Sequence, residues 1–202
     1  MHKKTMGLAA AVVAAGLLAS TPVAAATKDV EATSEKRFDP STVTATVGGN
    51  VHWFSLPDGV DHTVTQNSQL FDSGAVKDAF NFTQTFSAGT YPYHCEKHGT
   101  PTSGMRGTVK VPPQVSSAPA GLAFTVKWAA AVVDTGTTFD VKYRVASGPW
   151  KTWKTNTTAK SLVFGKAGPV GVARGKTYSF TVVSREGTKK SLVSPAKSFR
   201  AS

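Results

Sequence analysis

Polar and apolar residues alternate along most of this chain in short runs, and Gly, Pro, Asn or Asp interrupts them roughly every eight to twelve residues. A period of two places apolar side chains on one face of an extended strand. It predicts strands over residues 42–47, 50–55, 62–66, 80–86, 90–95 and 107–111 in the first half. In the second half it predicts 122–129, 138–145, 150–155, 161–165, 176–185 and 192–199. After residue 26 no segment carries the 3.6-residue period of a helix. Short strands at this spacing predict an all-β protein of two β-sandwich domains, built largely from antiparallel pairs.

Two segments stand outside the alternation. At the start, Lys3 and Lys4 precede an apolar run from Met6 to Ala19, and Ala24 and Ala26 follow as a small-residue cleavage pattern. Residues 1–26 therefore read as a signal peptide. The run is shorter than the roughly 20 apolar residues that cross a bilayer, and Ser20 and Pro22 break it. The expected location is extracellular or cell-surface, or periplasmic in a cell with an outer membrane, with no span of the membrane. The second segment, Pro112-Pro113-Gln114-Val115-Ser116-Ser117-Ala118-Pro119, has the composition of a short, stiff linker. It suggests a first domain over 27–112, a linker over 113–119 and a second domain over 120–202.

Charge sharpens the division. Residues 27–112 carry seven Lys/Arg and nine Asp/Glu, whereas residues 113–202 carry fourteen and three. The excess of +11 in the whole chain thus resides in the second half. An acidic first half is a poor nucleic-acid binder. The basic second half suits an anionic envelope polymer or an acidic protein face, since a secreted protein rarely meets nucleic acid.

A single cysteine in an exported chain has no intramolecular partner for a disulfide, so Cys95 needs another role. In Thr90-Tyr91-Pro92-Tyr93-His94-Cys95-Glu96-Lys97-His98, the residues Tyr91, Tyr93 and Cys95 share one strand face, which sets the thiol at the end of an aromatic ladder. His98 follows three residues later, where a tight loop can return an imidazole to the thiol. Met105 can close the same loop, and His62, after the turn-rich Pro57-Asp58-Gly59, can supply a second imidazole. Two imidazoles, a thiolate and a weak thioether form a blue-copper donor set. Zinc also accepts His and Cys, so this set alone leaves both metals open. His52 and His94 alternate with aromatic neighbours and are expected to face outward, away from the site.

Over about residues 37–112 the sequence resembles the plastocyanin/pseudoazurin branch of the cupredoxins. The resemblance rests on Phe38-x-Pro40, on the Val43-x-Ala45-x-Val47-Gly48-Gly49-Asn50-Val51-His52-Trp53 entry, and on His62-x-Val64. It continues through Phe82-x-x-x-Phe86-x-x-Gly89-Thr90-Tyr91-x-Tyr93-x-Cys95-x-x-His98 and Gly104-Met105-x-Gly107-Thr108-Val109. It implies a Greek-key sandwich holding one copper ion, with His62, Cys95 and His98 as equatorial ligands, Met105 as axial ligand, and electron transfer to a partner protein as the function. Two departures are visible. Ser55-Leu56 stands where the family often has an Asn, and six residues separate His98 from Met105. No His-x-His pair occurs in the chain, which argues against oxygen or nitrite reduction and against an enzyme.

In the second half, Leu122-x-Phe124-x-Val126-x-Trp128, Phe139-x-Val141-x-Tyr143, the strand at Tyr178-Ser179-Phe180-Thr181-Val182, and Ser194-Pro195 before Phe199 resemble a fibronectin type III domain. That resemblance implies a binding or spacing module. The half contains no Cys or His and only three scattered acids, so no catalytic constellation is expected there. The sequence thus predicts a secreted copper electron carrier. The alternatives are a copper-delivery protein and a wall-binding module whose first half is only a scaffold.

Overall fold

A computed structural model describes residues 26–117, 122–165 and 171–201. The signal-peptide expectation falls almost wholly on residues outside that set. Among the described residues there is no helix, and none is therefore long and apolar enough to cross a membrane.

The first half places two four-stranded sheets face to face. One contains β1 (Thr27–Ala32), β2 (Phe38–Asp39), β4 (Asn50–Phe54) and β6 (Asn81–Thr85), in the order β2-β1-β4-β6. The other contains β3 (Thr42–Thr44), β5 (Thr65–Gln66), β7 (Gly89–Gly99) and β8 (Gly104–Val111), in the order β3-β8-β7-β5. Two pairings, β1 with β4 and β3 with β8, are parallel rather than antiparallel. Strand β1 carries a pattern that charge obscures in the sequence: Asp29 and half-buried Glu31 alternate with fully buried Val30 and Ala32, and Lys28 is exposed near the strand's start.

Alternation produces the core. Val51 and Trp53 on β4 and Tyr91, Tyr93 and Cys95 on β7 all point inward, and Trp53 meets Tyr93 edge-to-face at 5.3 Å between ring centroids. Phe71 and Phe86 extend this aromatic cluster. Burial of side chains of this size contributes about 1.5–3 kcal/mol each before conformational entropy is set against it. Gly107, opposite Tyr93 across β7 and β8, leaves room for the tyrosine ring, because a Cβ there would lie 2.2 Å from it.

The second half also pairs two sheets. β9 (Gln114–Ser117), β10 (Phe124–Lys127) and β13 (Ser161–Phe164) form the smaller one, in the order β13-β10-β9. The larger consists of β11 (Thr137–Val145), β12 (Lys151–Thr157), β14 (Thr177–Glu186), β15 (Lys189–Lys190) and β16 (Lys197–Arg200). Most of the segment expected to be a linker is strand β9, antiparallel to β10. Its flanking prolines suggested a break, yet Gln114 to Ser117 can donate and accept main-chain hydrogen bonds at a sheet edge. Phe124, Trp128, Trp153, Phe164 and Phe180 fill the space between these sheets.

The halves meet along the first residues of β7. Thr90 and Leu192 exchange main-chain hydrogen bonds of 3.1 and 2.9 Å, and the Thr90 hydroxyl donates to the Val193 carbonyl at 2.8 Å. The Ala88 amide donates to the Trp128 carbonyl at 2.7 Å, while its carbonyl accepts from the buried Ser184 hydroxyl at 2.8 Å. These bonds satisfy polar groups that contact between the halves would otherwise strand. The strand that carries Cys95 is therefore anchored at its other end on the second half.

Candidate metal centre

The geometry around Cys95 originates in an irregularity of the β7–β8 pair. His94 pairs with Arg106 and Gly99 with Gly104, so residues 95–98 on β7 face Met105 alone on β8. The surplus bulges the strand and folds His98 back toward Cys95. Beyond it, Gly99 and Gly104 close a hairpin whose Thr100 amide donates to the Ser103 carbonyl at 2.9 Å. Gly104 has φ of 71°, and a Cβ there would lie 2.4 Å from the His98 carbonyl oxygen. Glycine is what permits this return. The six-residue separation of His98 from Met105 is thus taken up by a tight turn, and buried Met105 lies in register with the bulge.

His62 reaches the same point from another direction. It precedes β5, and its main chain exchanges hydrogen bonds with Lys77. The Cys95 Sγ lies 3.9 Å from His62 Nδ1 and 3.6 Å from His98 Nδ1, and the two imidazole rings are 5.1 Å apart at an interplanar angle of 65°. One donor atom from each of the three residues falls within 4.8 Å of the others. Cys95 and His62 are buried, and His98 is half-buried at the rim. Burial and the neighbouring His98 lower the His62 pKa, while burial and the cations Lys36 and Lys97 lower that of His98. Neutral imidazoles keep the lone pairs that a metal requires.

Thr63 connects the segments that carry His62 and Cys95. Its amide donates to Cys95 Sγ at 3.4 Å, and its hydroxyl accepts from the Glu96 amide at 2.8 Å. The two bonds fix the sulfur against the segment that carries His62. Sequence reasoning missed Thr63 because its partners lie more than thirty residues away. Its position next to His62 was the only available signal. On the surface, Lys97 and Asp61 form an ion pair at 2.6 Å between the same segments. The Ser55 hydroxyl accepts from the Phe80 amide at 3.1 Å and reaches neither histidine-bearing loop through that bond.

The two other histidines among the described residues, His52 and His94, lie outside the cluster. His52 is partly exposed between Asp29 and Asn81, at 3.0 and 2.7 Å, and stacks on Phe54. His94, expected to face outward, is covered, with Nδ1 2.9 Å from Asn67 Oδ1. The short β5 and its loop lie against this side of β7, and Thr65 pairs with His94.

The residues present fit a thiophilic first-row metal. Two imidazoles and one thiol converge without a carboxylate among them, and their separations suit donors sharing an ion at bonds of about 2.0 and 2.3 Å. The Nε2 of His62 is buried with no hydrogen-bond partner among the described residues, so the ring is positioned by packing and by its main chain.

No family model matches the chain. Among solved structures, it is similar over 42% of its length to a purple cupredoxin from Nitrosopumilus maritimus, with 24% identity, 98% of that chain covered and a TM-score of 0.35. It is similar over 45% of its length to the reduced Cu(I) form of a mutant amicyanin, with 28% identity, 86% of that chain covered and a TM-score of 0.35. A mutant plastocyanin of fern is similar over 41% of this chain and 98% of its own, with 19% identity and a TM-score of 0.35.

Proposed function

We propose that the protein is an exported copper electron carrier whose ion is held by His62, Cys95 and His98, with Met105 as a weak axial ligand. The convergence of Cys95 Sγ with the Nδ1 atoms of His62 and His98, at 3.9 and 3.6 Å, carries this reading. Copper bound there would supply a one-electron Cu(I)/Cu(II) couple. The surrounding residues hold the donors in one arrangement for both oxidation states: the bulge fixes Cys95 against His98, the His62 main chain is bonded to Lys77, and Thr63 joins the two segments. A rigid site limits the rearrangement that accompanies electron transfer. His98, half-buried at the rim, is the ligand nearest solvent and gives a partner protein its approach. The second half is read as a fibronectin type III-like module, and the apolar N-terminal run as an export signal.

Voltammetry on the copper-loaded protein tests this function. The expected result is a reversible one-electron wave that persists over many cycles with copper retained. Loss of the ion on reduction would instead mark a copper-delivery protein.

A further inference from the structure

The cations of the second half are not spread evenly. Nine of the fourteen Lys/Arg in residues 113–202 lie on strands of the five-stranded sheet. Along β11, Phe139, Val141 and Tyr143 point into the core, so Asp140, Lys142 and Arg144 point to solvent. The one acid in that row, Asp140, is engaged by Arg185 through Nε and a terminal nitrogen, at 2.7 and 2.6 Å. Lys142, Arg144 and Arg200 have no acidic partner among the described residues. Arg144 lies across β14 from Ser198, since Ser179 pairs with both, and Arg200 lies one row further along β16.

Arg144 is held in a defined pose. Its guanidinium carbon lies 4.8 Å from the centroid of the Trp150 ring, and its Nε is buried without a partner among the described residues. A guanidinium stacked on an aromatic ring has lost much of the freedom it would otherwise surrender on binding, and its outer nitrogens form a fork suited to carboxylate or phosphate. Lys142 stands two residues away on the same strand face, about 7 Å along it. Exposed Thr152 and Ser198 add hydroxyls beside this row.

We propose that this outer sheet face, centred on Lys142, Arg144 and Arg200, docks the protein on an acidic polysaccharide. Spaced cations match a linear chain with one charge per repeat, and the intervening hydroxyls match sugar hydroxyls. Single-stranded nucleic acid fits less well, because its binding sites rely on several aromatic platforms for bases. The ring of Trp150 beside this row is already occupied by Arg144. The inference is independent of the copper reading.

The test uses the full chain and polygalacturonate as the acidic polysaccharide, with dextran as a neutral polysaccharide and single-stranded DNA for comparison, each titrated at low and high salt. Polygalacturonate should bind, weaken steeply with salt and be unmatched by dextran, since exposed charges are screened within about 10 Å at 0.1 M. The double variant Lys142→Gln/Arg144→Gln should weaken binding about tenfold, while Lys110→Gln/Lys127→Gln removes the same charge elsewhere and should change it less than about twofold. Equal loss from both double variants would overturn the proposal in favour of bulk charge. Tighter binding of DNA, or no binding of polygalacturonate at low salt, would overturn it as well.

Discussion

The two halves of this protein use the same β-sandwich physics for different ends. In the first, the inner face of β7 carries Tyr91 and Tyr93 and then Cys95, so the strand that builds the core also delivers a metal donor. In the second, the inner faces carry apolar and aromatic groups such as Phe139, Val141, Phe180 and Val182, with Ser184 turned to the seam, and the charged groups lie outside, in cations such as Lys142 and Arg144. The first half is slightly acidic and the second strongly basic. The two halves thus differ in which face of a strand receives the polar chemistry. The seam at Thr90 and Leu192 adds that the halves are not independent, because the strand carrying Cys95 begins there.

The largest effect is expected where the core and the site share a strand. Gly107→Val would drive a side chain into the Tyr93 ring and should cost at least about 3 kcal/mol, at the upper end of overpacking, with loss of copper binding in the same step. Trp128→Ala should destabilise the second half by about 3–5 kcal/mol. At low temperature it should leave the copper spectrum in place. Calorimetry with a parallel copper titration checks both; a Trp128→Ala protein that folds and yet binds no copper would break the contrast between the halves.

The seam comes next. Ser184→Ala leaves the buried Ala88 carbonyl without its hydroxyl donor, an expected loss of about 1–3 kcal/mol. Thermal unfolding should then begin roughly 2–10 °C lower. If Tm does not move, the contact between the halves contributes nothing and they behave as separate modules.

How much of this was legible in the sequence depended on how local each feature is. Cys95-x-x-His98 and the Tyr91, Tyr93, Cys95 ladder are short-range patterns, and the structure places them as the alternation implies. The bulge was not legible, because it is a mismatch between two strands and only the pairing of Gly99 with Gly104 reveals it. Strand β1 was missed because three of its six residues are charged, and β9 because prolines flank it. His94 looked exposed by alternation, yet Asn67 covers it from a loop whose position no local pattern encodes.

Two smaller effects sharpen the first half. Met105→Leu should keep copper bound and raise the reduction potential, since a lost thioether weakens Cu(II) more than Cu(I). Voltammetry of the variant reads the shift, and an unchanged potential would remove Met105 from the ligand set. The smallest effect concerns His52, whose pKa is raised by its hydrogen bonds to Asn81 and Asp29. A base with a raised pKa contributes stability that is complete below its unfolded value of about 6.5 and is lost as pH rises through the folded value. The stability difference between the wild type and His52→Gln should therefore shrink on passing from about pH 6 to pH 8 in denaturant titrations. A constant difference would show that the His52 contacts do not depend on its proton.

The visible absorption spectrum of copper-loaded protein tests the central claim most directly. A thiolate bound to Cu(II) should give an intense charge-transfer band, present in the wild type, absent in Cys95→Ala, and lost or strongly altered in His62→Ala and His98→Ala. A band that survives Cys95→Ala, or wild-type protein that binds Cu(II) without one, would contradict the site drawn here.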